Sequence, residues 1–247
     1  MYDSDARKIR FVALDFETTG RDPLTSRATE VGIITYENGV EIERWGQLIN
    51  PGEIISDEVI GVTGITNEDV RDMPSFAEVA DDIEKRVAGQ YFLAYNASYD
   101  TQVMRAEMGR LNRTVEFKGV IDPLPFCWQY IRRTKKTKNA RLGTICEYLG
   151  IDLENAHRAT DDAAATAEVY LRLFEEVPEI PRTIGELLEV QAALAMEMEA
   201  SFRRPRSGPS IHMSEVNLDL GPAFVRGQIS DPLRYLFRRL PDVRNVR

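Results

Sequence analysis

The chain has 247 residues, 43% of them hydrophobic and 29% charged, a length that suits one well-buried domain with an appendage and is marginal for two full domains. No stretch approaches the ~18 consecutive apolar residues of a membrane-spanning helix, and the N-terminal MYDSDARKIR lacks the apolar core of a secretory signal, so a cytoplasmic protein with no membrane partner is expected. The net charge of -9 hides an asymmetry: residues 201–247 hold nine Arg and four acids, leaving 22 basic and 36 acidic residues in the body, which would repel a polyanion unless divalent cations intervened.

Residues 9–16 (IRFVALDF) form a short apolar run with β-branched and aromatic members, which predicts a central strand. Two further strand-like runs, 29–37 and 40–49, flank Asn38 and Gly39, a strong short-range signal for an antiparallel hairpin, so the chain opens as a three-strand meander. From Ser75 the pattern changes: Phe76, Val79, Ile83 and Val87 recur at helical spacing ahead of an apolar run at 91–95. A helix is expected over 98–111, a short strand over 119–122, and helices near 124–133, 141–149 and 161–175. Strands first and helices later, with helix-to-strand returns, predict a mixed α/β sheet flanked by helices. Cys127 and Cys146 fall on helical segments, which predicts reduced buried thiols; two Cys and two His without paired-Cys spacing make no structural zinc site. Residues 183–202 read as a further helix, RRPRSGPS as a linker, and 231–240 (DPLRYLFRRL) as a short amphipathic helix. The expected organisation is a catalytic domain over 1–178, a helical extension over 179–202 and a basic, irregular tail over 203–247.

Three places carry chemistry. Asp15 and Glu17 stand two apart on the first strand and therefore project from one face. Two charges following FVAL in a buried strand are costly, and a hard cation with oxygen ligands compensates them. Asp100 opens a helix for which Ser98 is a candidate N-cap; the helix dipole alone accounts for an acid there, so a structural and a functional role both stand. His157 and Asp162, five residues apart, point about 140° from each other on a helix of ~3.6 residues per turn, so His157 must precede the helix. Thr160 would cap a helix starting near Asp161, with Asp162 in its first turn and small Ala side chains allowing close approach to the sheet. Four carboxylates and one imidazole suit phosphodiester hydrolysis by two divalent ions, Mg²⁺ or Mn²⁺, held ~4 Å apart. An imidazole, with an ordinary pKa near ~6.5, can take the proton from an attacking water at neutral pH.

The order DFETTG (15–20), then Asn96 with Asp100, then His157 with Asp162 resembles the DEDD superfamily of 3′-to-5′ exonucleases. More narrowly, it resembles the histidine-containing (DEDDh) branch, to which the proofreading epsilon subunits of bacterial DNA polymerase III belong. The resemblance covers roughly residues 8–176 and implies an RNase H-like fold and nucleoside 5′-monophosphate products. It further implies that Asp15 bridges both metals, that Glu17 and Asp162 hold the nucleophile-side metal, that Asp100 assists through water, and that His157 is the base. Thr63-Gly64-Ile65-Thr66 resembles the segment that packs on the terminal nucleotide, though it reads equally as a helix-starting turn; Thr18, Thr19 and Asn96 match backbone-contacting positions. Tyr95 stands where many members have His.

Arg132, Arg133, Lys135, Lys136, Lys138 and Arg141 place six cations within ten residues, either a track for phosphates or a solvated loop. The reading is an exonuclease acting on single-stranded 3′ ends, DNA ahead of RNA, in proofreading or repair. The alternatives are an exoribonuclease trimming RNA 3′ ends, or a non-catalytic binding module. The basic tail is expected to dock a polymerase or sliding clamp, or to hold nucleic acid, against the alternative of a helix folded back on the core.

Overall fold

Strand β1 (Phe11–Thr18) alternates its side chains between two cores. Val12, Leu14 and Phe16 enter one, Phe11 and Ala13 the other, and Asp15 and Glu17 continue the second side beyond the last apolar residue. The computed structural model describes residues 3–153 and 157–203. Around β1 lie β2 (Ala28–Glu37), β3 (Val40–Leu48), β4 (Tyr91–Leu93) and β5 (Gly119–Ile121), in the order β3-β2-β1-β4-β5. The β1, β2 and β3 pairs are antiparallel and the β1–β4 and β4–β5 pairs parallel, which gives the mixed sheet of the RNase H-like fold. The hairpin between β2 and β3 turns on Asn38 (φ 54°) and Gly39 (φ 75°), both left-handed as a type I′ turn requires.

Helices cover both faces. On one side α3 (Phe76–Val87) and α4 (Ser98–Arg110) bury Phe76, Val79, Ile83, Val103, Met104 and Met108 against Val12 and Leu14. On the other lie α5 (Leu124–Phe126) with the π-helical stretch Cys127–Arg132 that continues it, α6 (Leu142–Leu149), α7 (Ala159–Glu176) and α8 (Ile184–Arg203). Ile184, Leu187 and Leu194 of α8 enter the same core as Phe11, and the Gln191 amide lies along the free edge of β5, donating to Val120 O (3.1 Å) and accepting from Asp122 N (2.9 Å). Cys127 and Cys146 are buried free thiols. Among the described residues no helix is long and apolar enough to cross a membrane.

Several boundaries differ from expectation, and each has a local cause. β1 runs to Thr18 rather than stopping at Phe16, because pairing with β2 continues through a bulge between Glu17 and Thr18. Arg27 and Ala28 opposite that bulge are held by the buried Glu107 carboxylate, with Arg27 Nε at 2.9 Å and Ala28 N at 3.0 Å. One helix is not foreseen from the sequence, α1 (Asp57–Thr63), closed by left-handed Gly64 (φ 71°); α2 (Asn67–Val70), opened by a Thr66–Asp69 capping box, is the helix that the alternative reading of 63–66 as a helix-starting turn implies. The segment 63–66 is thus the turn between two short helices. The linker after 203 and the helix expected over 231–240 lie outside the described residues.

Candidate active site

β4 is shorter than β1: its last pair is Ala13 with Leu93, so the end of β1 extends past it. The chain then turns through Asn96, left-handed at φ 63°, and α4 begins where β4 has stopped. Asp100, buried in the first turn of α4, accepts the Phe16 N–H at 3.1 Å, which β4 would otherwise leave unpaired. Asp100 therefore has a structural role that the helix dipole did not suggest, at the edge of β1, and its charge acts on Asp15. Ser98 does not cap the helix. Asp122, just after β5, accepts Asn96 N (3.0 Å), Ala97 N (3.1 Å) and Leu124 N (2.9 Å) instead. Burial raises the Asp122 carboxyl to about 6 against the lowering by those three N–H groups.

On the opposite side α7 approaches β2 and β3 at two glycines. Asp15, Gly32 and Gly46 are direct partners across three strands. A Cβ on Gly32 would lie 2.3 Å from Ala159 C and one on Gly46 2.5 Å from Thr160 Cγ2, so the sheet has a trough shaped to the first turn of α7. Thr160 is not the cap expected; α7 begins at Ala159, and Thr160 Cγ2 lies over the trough. Asp161 N and Asp162 N donate to Arg158 O, while Ala159 N donates to Glu30 Oε2 (3.1 Å). The small Ala residues of α7 do pack closely, as expected, but the sheet's missing side chains supply much of the space.

Asp162, thus seated, accepts the His157 N–H at 2.9 Å. His157 precedes the helix as predicted, exposed and left-handed at φ 71°. Glu17, His157 and Asp162 each offer a ligand atom, all within 4.8 Å of one another. Asp15, on the same face of β1 as Glu17, is raised well above the usual carboxylate range, by burial first and then by Asp100, Asp162, Glu17 and Glu30. Burial, Asp162, Glu30 and Asp100 raise Glu17 to about 8. Asp100 and Asp162 are raised as well, again by burial foremost. Four acids that resist ionising beside one another could together hold a hard divalent cation: they are oxygen-rich, negatively charged once ionised, and mutually repulsive without it.

The other expected positions divide. Thr19 is part-exposed, its hydroxyl donating to Glu53 (2.6 Å), and Asn96 is exposed. Thr18 is buried and bonded to Tyr99 Oη (2.6 Å) and Gly20 O (2.7 Å), which fixes the turn after β1. Thr63 and Ile65 are also buried; Thr63 Oγ1 donates to Val59 O, and Ile65 packs with Ile55 and Val70. Of the basic loop, Arg133 pairs with Glu197 (2.6 Å) and Lys136 lies over the Tyr148 ring, whereas Arg132, Lys135, Lys138 and Arg141 are exposed. Tyr95 Oη donates to Ala140 O (2.7 Å), tethering the end of this loop to the residue before Asn96. Glu30, Gly32, Gly46 and Asp122 do not stand out in the sequence. Their roles arise from strand register and distant contacts, and only the presence of one glycine inside each of two strands offers a local hint.

A family model described as exonuclease (RNase_T) matches residues 12–170. The chain is 30% identical over 194 residues to the DNA polymerase III PolC-type of Caldanaerobacter subterraneus subsp. tengcongensis, covering 78% of this chain and 13% of that protein. It is 31% identical over 190 residues to the PolC-type polymerase of Thermotoga petrophila, covering 77% and 14%. The chain thus spans about one seventh of the length of these curated relatives. Among solved structures, exonuclease I superposes with a TM-score of 0.62 at 22% identity, over 69% of this chain and 42% of that one. The nuclease domain of 3′hExo, described as a DEDDh family member bound to rAMP, superposes at 0.58 and 18% identity, over 70% and 96%. At these identities the superpositions speak for the fold.

Proposed function

The chain belongs to the exonuclease family, in its DEDDh branch, and on that premise we propose that it hydrolyses single-stranded DNA from the 3′ end, releasing nucleoside 5′-monophosphates in proofreading or repair. The observation that carries this reading is the convergence of Glu17, His157 and Asp162 within 4.8 Å of one another, with the charges of Glu17, Asp162 and Asp100 all acting on Asp15. Asp15, Glu17, Asp100 and Asp162 would hold two divalent cations, Mg²⁺ or Mn²⁺, which when bound supply Lewis-acid charge beside the scissile phosphate and make water a better nucleophile. His157 takes the proton of the attacking water as the new P–O bond forms. The bond from phosphorus to the 3′ oxygen of the penultimate nucleotide breaks, that oxygen gains a proton from solvent, to which His157 returns the one it took, and a new 3′ hydroxyl end remains. The exposed ring of His157, with its backbone fixed on Asp162, suits a base that meets substrate at the surface.

Thr19 and the Asn96 turn offer exposed polar groups for the terminal nucleotide, whereas Thr18, Thr63 and Ile65 would act by shaping their loops. We assign α8 to the same folded unit as the sheet and the helices α3 to α7, since Gln191 and Leu194 complete the β5 edge and its core. DNA is placed ahead of RNA because the curated relatives are DNA polymerases and exonuclease I has been solved with a dT13 oligonucleotide. The rAMP-bound 3′hExo favours RNA as the second reading. A polymerase is the partner class that the relatives suggest for a chain of this kind.

The test is degradation of matched 5′-labelled single-stranded DNA and RNA at single-nucleotide resolution with Mg²⁺ or Mn²⁺, wild type against Asp15→Ala. A ladder shortening from the 3′ end, faster on DNA and absent in the variant, is expected. A faster RNA ladder would transfer the reading to RNA, and cleavage that survives Asp15→Ala would overturn the site.

A further inference from the structure

We propose that Glu30 is a positioning residue for His157, acting by clamping Arg158 and the first amide of α7; this rests on the exonuclease reading, in which His157 takes the proton. Glu30 is buried on β2 directly opposite Glu17 in the strand register. Like charges facing each other across a sheet repel, and a buried acid without partners is costly, so its presence there calls for specific compensation. Among the described residues, the compensation comes from the two that follow His157. Arg158 Nη2 donates to Glu30 Oε1 at 2.8 Å and Arg158 Nε approaches both carboxylate oxygens at 3.2 Å, while Ala159 N donates to Oε2 at 3.1 Å. Both oxygens are occupied, which sets Glu30 apart from the carboxylates that converge as ligands.

The clamp determines where His157 stands. Its own N–H is bonded to Asp162 Oδ2 and the next residue is bound to β2, so its backbone is fixed from both sides in the left-handed region. A non-glycine residue adopts that conformation infrequently, and the two bonds on either side of His157 hold it there. The residue is exposed and belongs to none of the core clusters among the described residues. An ion pair with one half-exposed partner is weak ground for stability, since exposed pairs contribute little and buried ones are often replaced without loss. Its value here is geometric: β2, which carries Glu30 opposite Glu17 and Gly32 opposite Asp15, sets the ligand strand and the base on one rigid frame.

The experiment compares Glu30→Gln, which keeps an acceptor for Ala159 N but loses the charge pair, with Arg158→Met, which removes the guanidinium from a half-exposed site. Each is expected to lower kcat on a 5′-labelled oligonucleotide by about 10- to 100-fold, as outer partners of a catalytic group do, with KM held within about twofold. In a His157→Ala background Glu30→Gln should cost less than about twofold, because a residue acting only through His157 has nothing left to position. An undiminished cost in that background, or a raised KM with kcat unchanged, would overturn the proposal. Hydrogen exchange is read on the same proteins without metal or substrate. Faster exchange at Ala159 and Asp162 in Glu30→Gln, with the α4 amides unchanged, is expected; unchanged exchange refutes the clamp whatever the enzyme does. A wild type that leaves every oligonucleotide intact would instead sink the exonuclease reading, and the exchange data would still decide the clamp.

Discussion

Replacing Gly32 with Ala tests the seating of α7 on the sheet. The added methyl carbon would stand 2.3 Å from Ala159 C, 2.4 Å from Ala159 O and 2.4 Å from Thr160 N, all backbone atoms that no rotamer change can remove. Ordinary contact begins near 3.4 Å, so the first turn of α7 must retreat by about 1 Å, carrying Asp162 and the His157 N–H bonded to it. Overpacking of this kind costs about 1–3 kcal/mol of stability, and a displacement of ~1 Å at reacting groups costs on the order of 100-fold in rate. The sign is diagnostic, because Gly→Ala in an unobstructed strand stabilises by roughly 0.5–1 kcal/mol. Gly109→Ala on α4, where nothing lies within 4 Å, is the control and should be neutral or stabilising. Urea unfolding and kcat on a 5′-labelled oligonucleotide in Mg²⁺ give both quantities. A Gly32→Ala protein as active as wild type and more stable would refute the trough.

The raised carboxylates make stability depend on pH and metal together. A carboxyl whose pKa is higher in the folded state stabilises at low pH, and that contribution is lost as pH climbs from the ordinary range through the folded value, which for Glu17 is about 8. The metal-free protein should therefore lose stability, on the order of a few kcal/mol, between roughly pH 4 and 8. Mg²⁺ should raise Tm more at pH 8 than at pH 5, and an equal gain at both would contradict this. Replacing Arg132, Lys135, Lys138 and Arg141 with Ser should flatten the salt dependence of oligonucleotide binding by up to about 0.7 in slope for each phosphate no longer neutralised; an unchanged slope would make this a solvated loop. Truncation after Phe202 removes the basic tail, and a loss of polymerase binding with activity on short oligonucleotides retained is expected; loss of the activity itself would place the tail in the catalytic unit.

Much of the site is legible in the sequence because local periodicity carries it. Two-residue alternation puts Asp15 and Glu17 on one face, and the angular separation of His157 and Asp162 excludes a single helix. The Asn38–Gly39 turn likewise announces the hairpin. What the sequence hides depends on partners far apart in the chain. Ser98 and Thr160 have the chemistry of caps, yet neither caps; the side chains that hold these helix starts are Asp122 and Glu30, bonded to Ala97 N and Ala159 N from 25 and 129 residues away. Gly32 and Gly46 matter only because strand register stacks them beside Asp15. Helices of seven and four residues are too short for an apolar period to emerge, and α1 and α2 depend instead on Ser56, the Thr66–Asp69 box and the small cluster of Ile55, Ile65 and Val70.

The claim at the centre of this account is that Asp15, Glu17, Asp100 and Asp162 together form a cage for divalent cations. Counting Mn²⁺ bound per chain by electron paramagnetic resonance at pH 8, in wild type and Asp15→Ala, tests it most directly. Two ions in the wild type and fewer than one in the variant are predicted, as a two-ion phosphodiesterase site requires; equal occupancy in both, or none in the wild type, would contradict it.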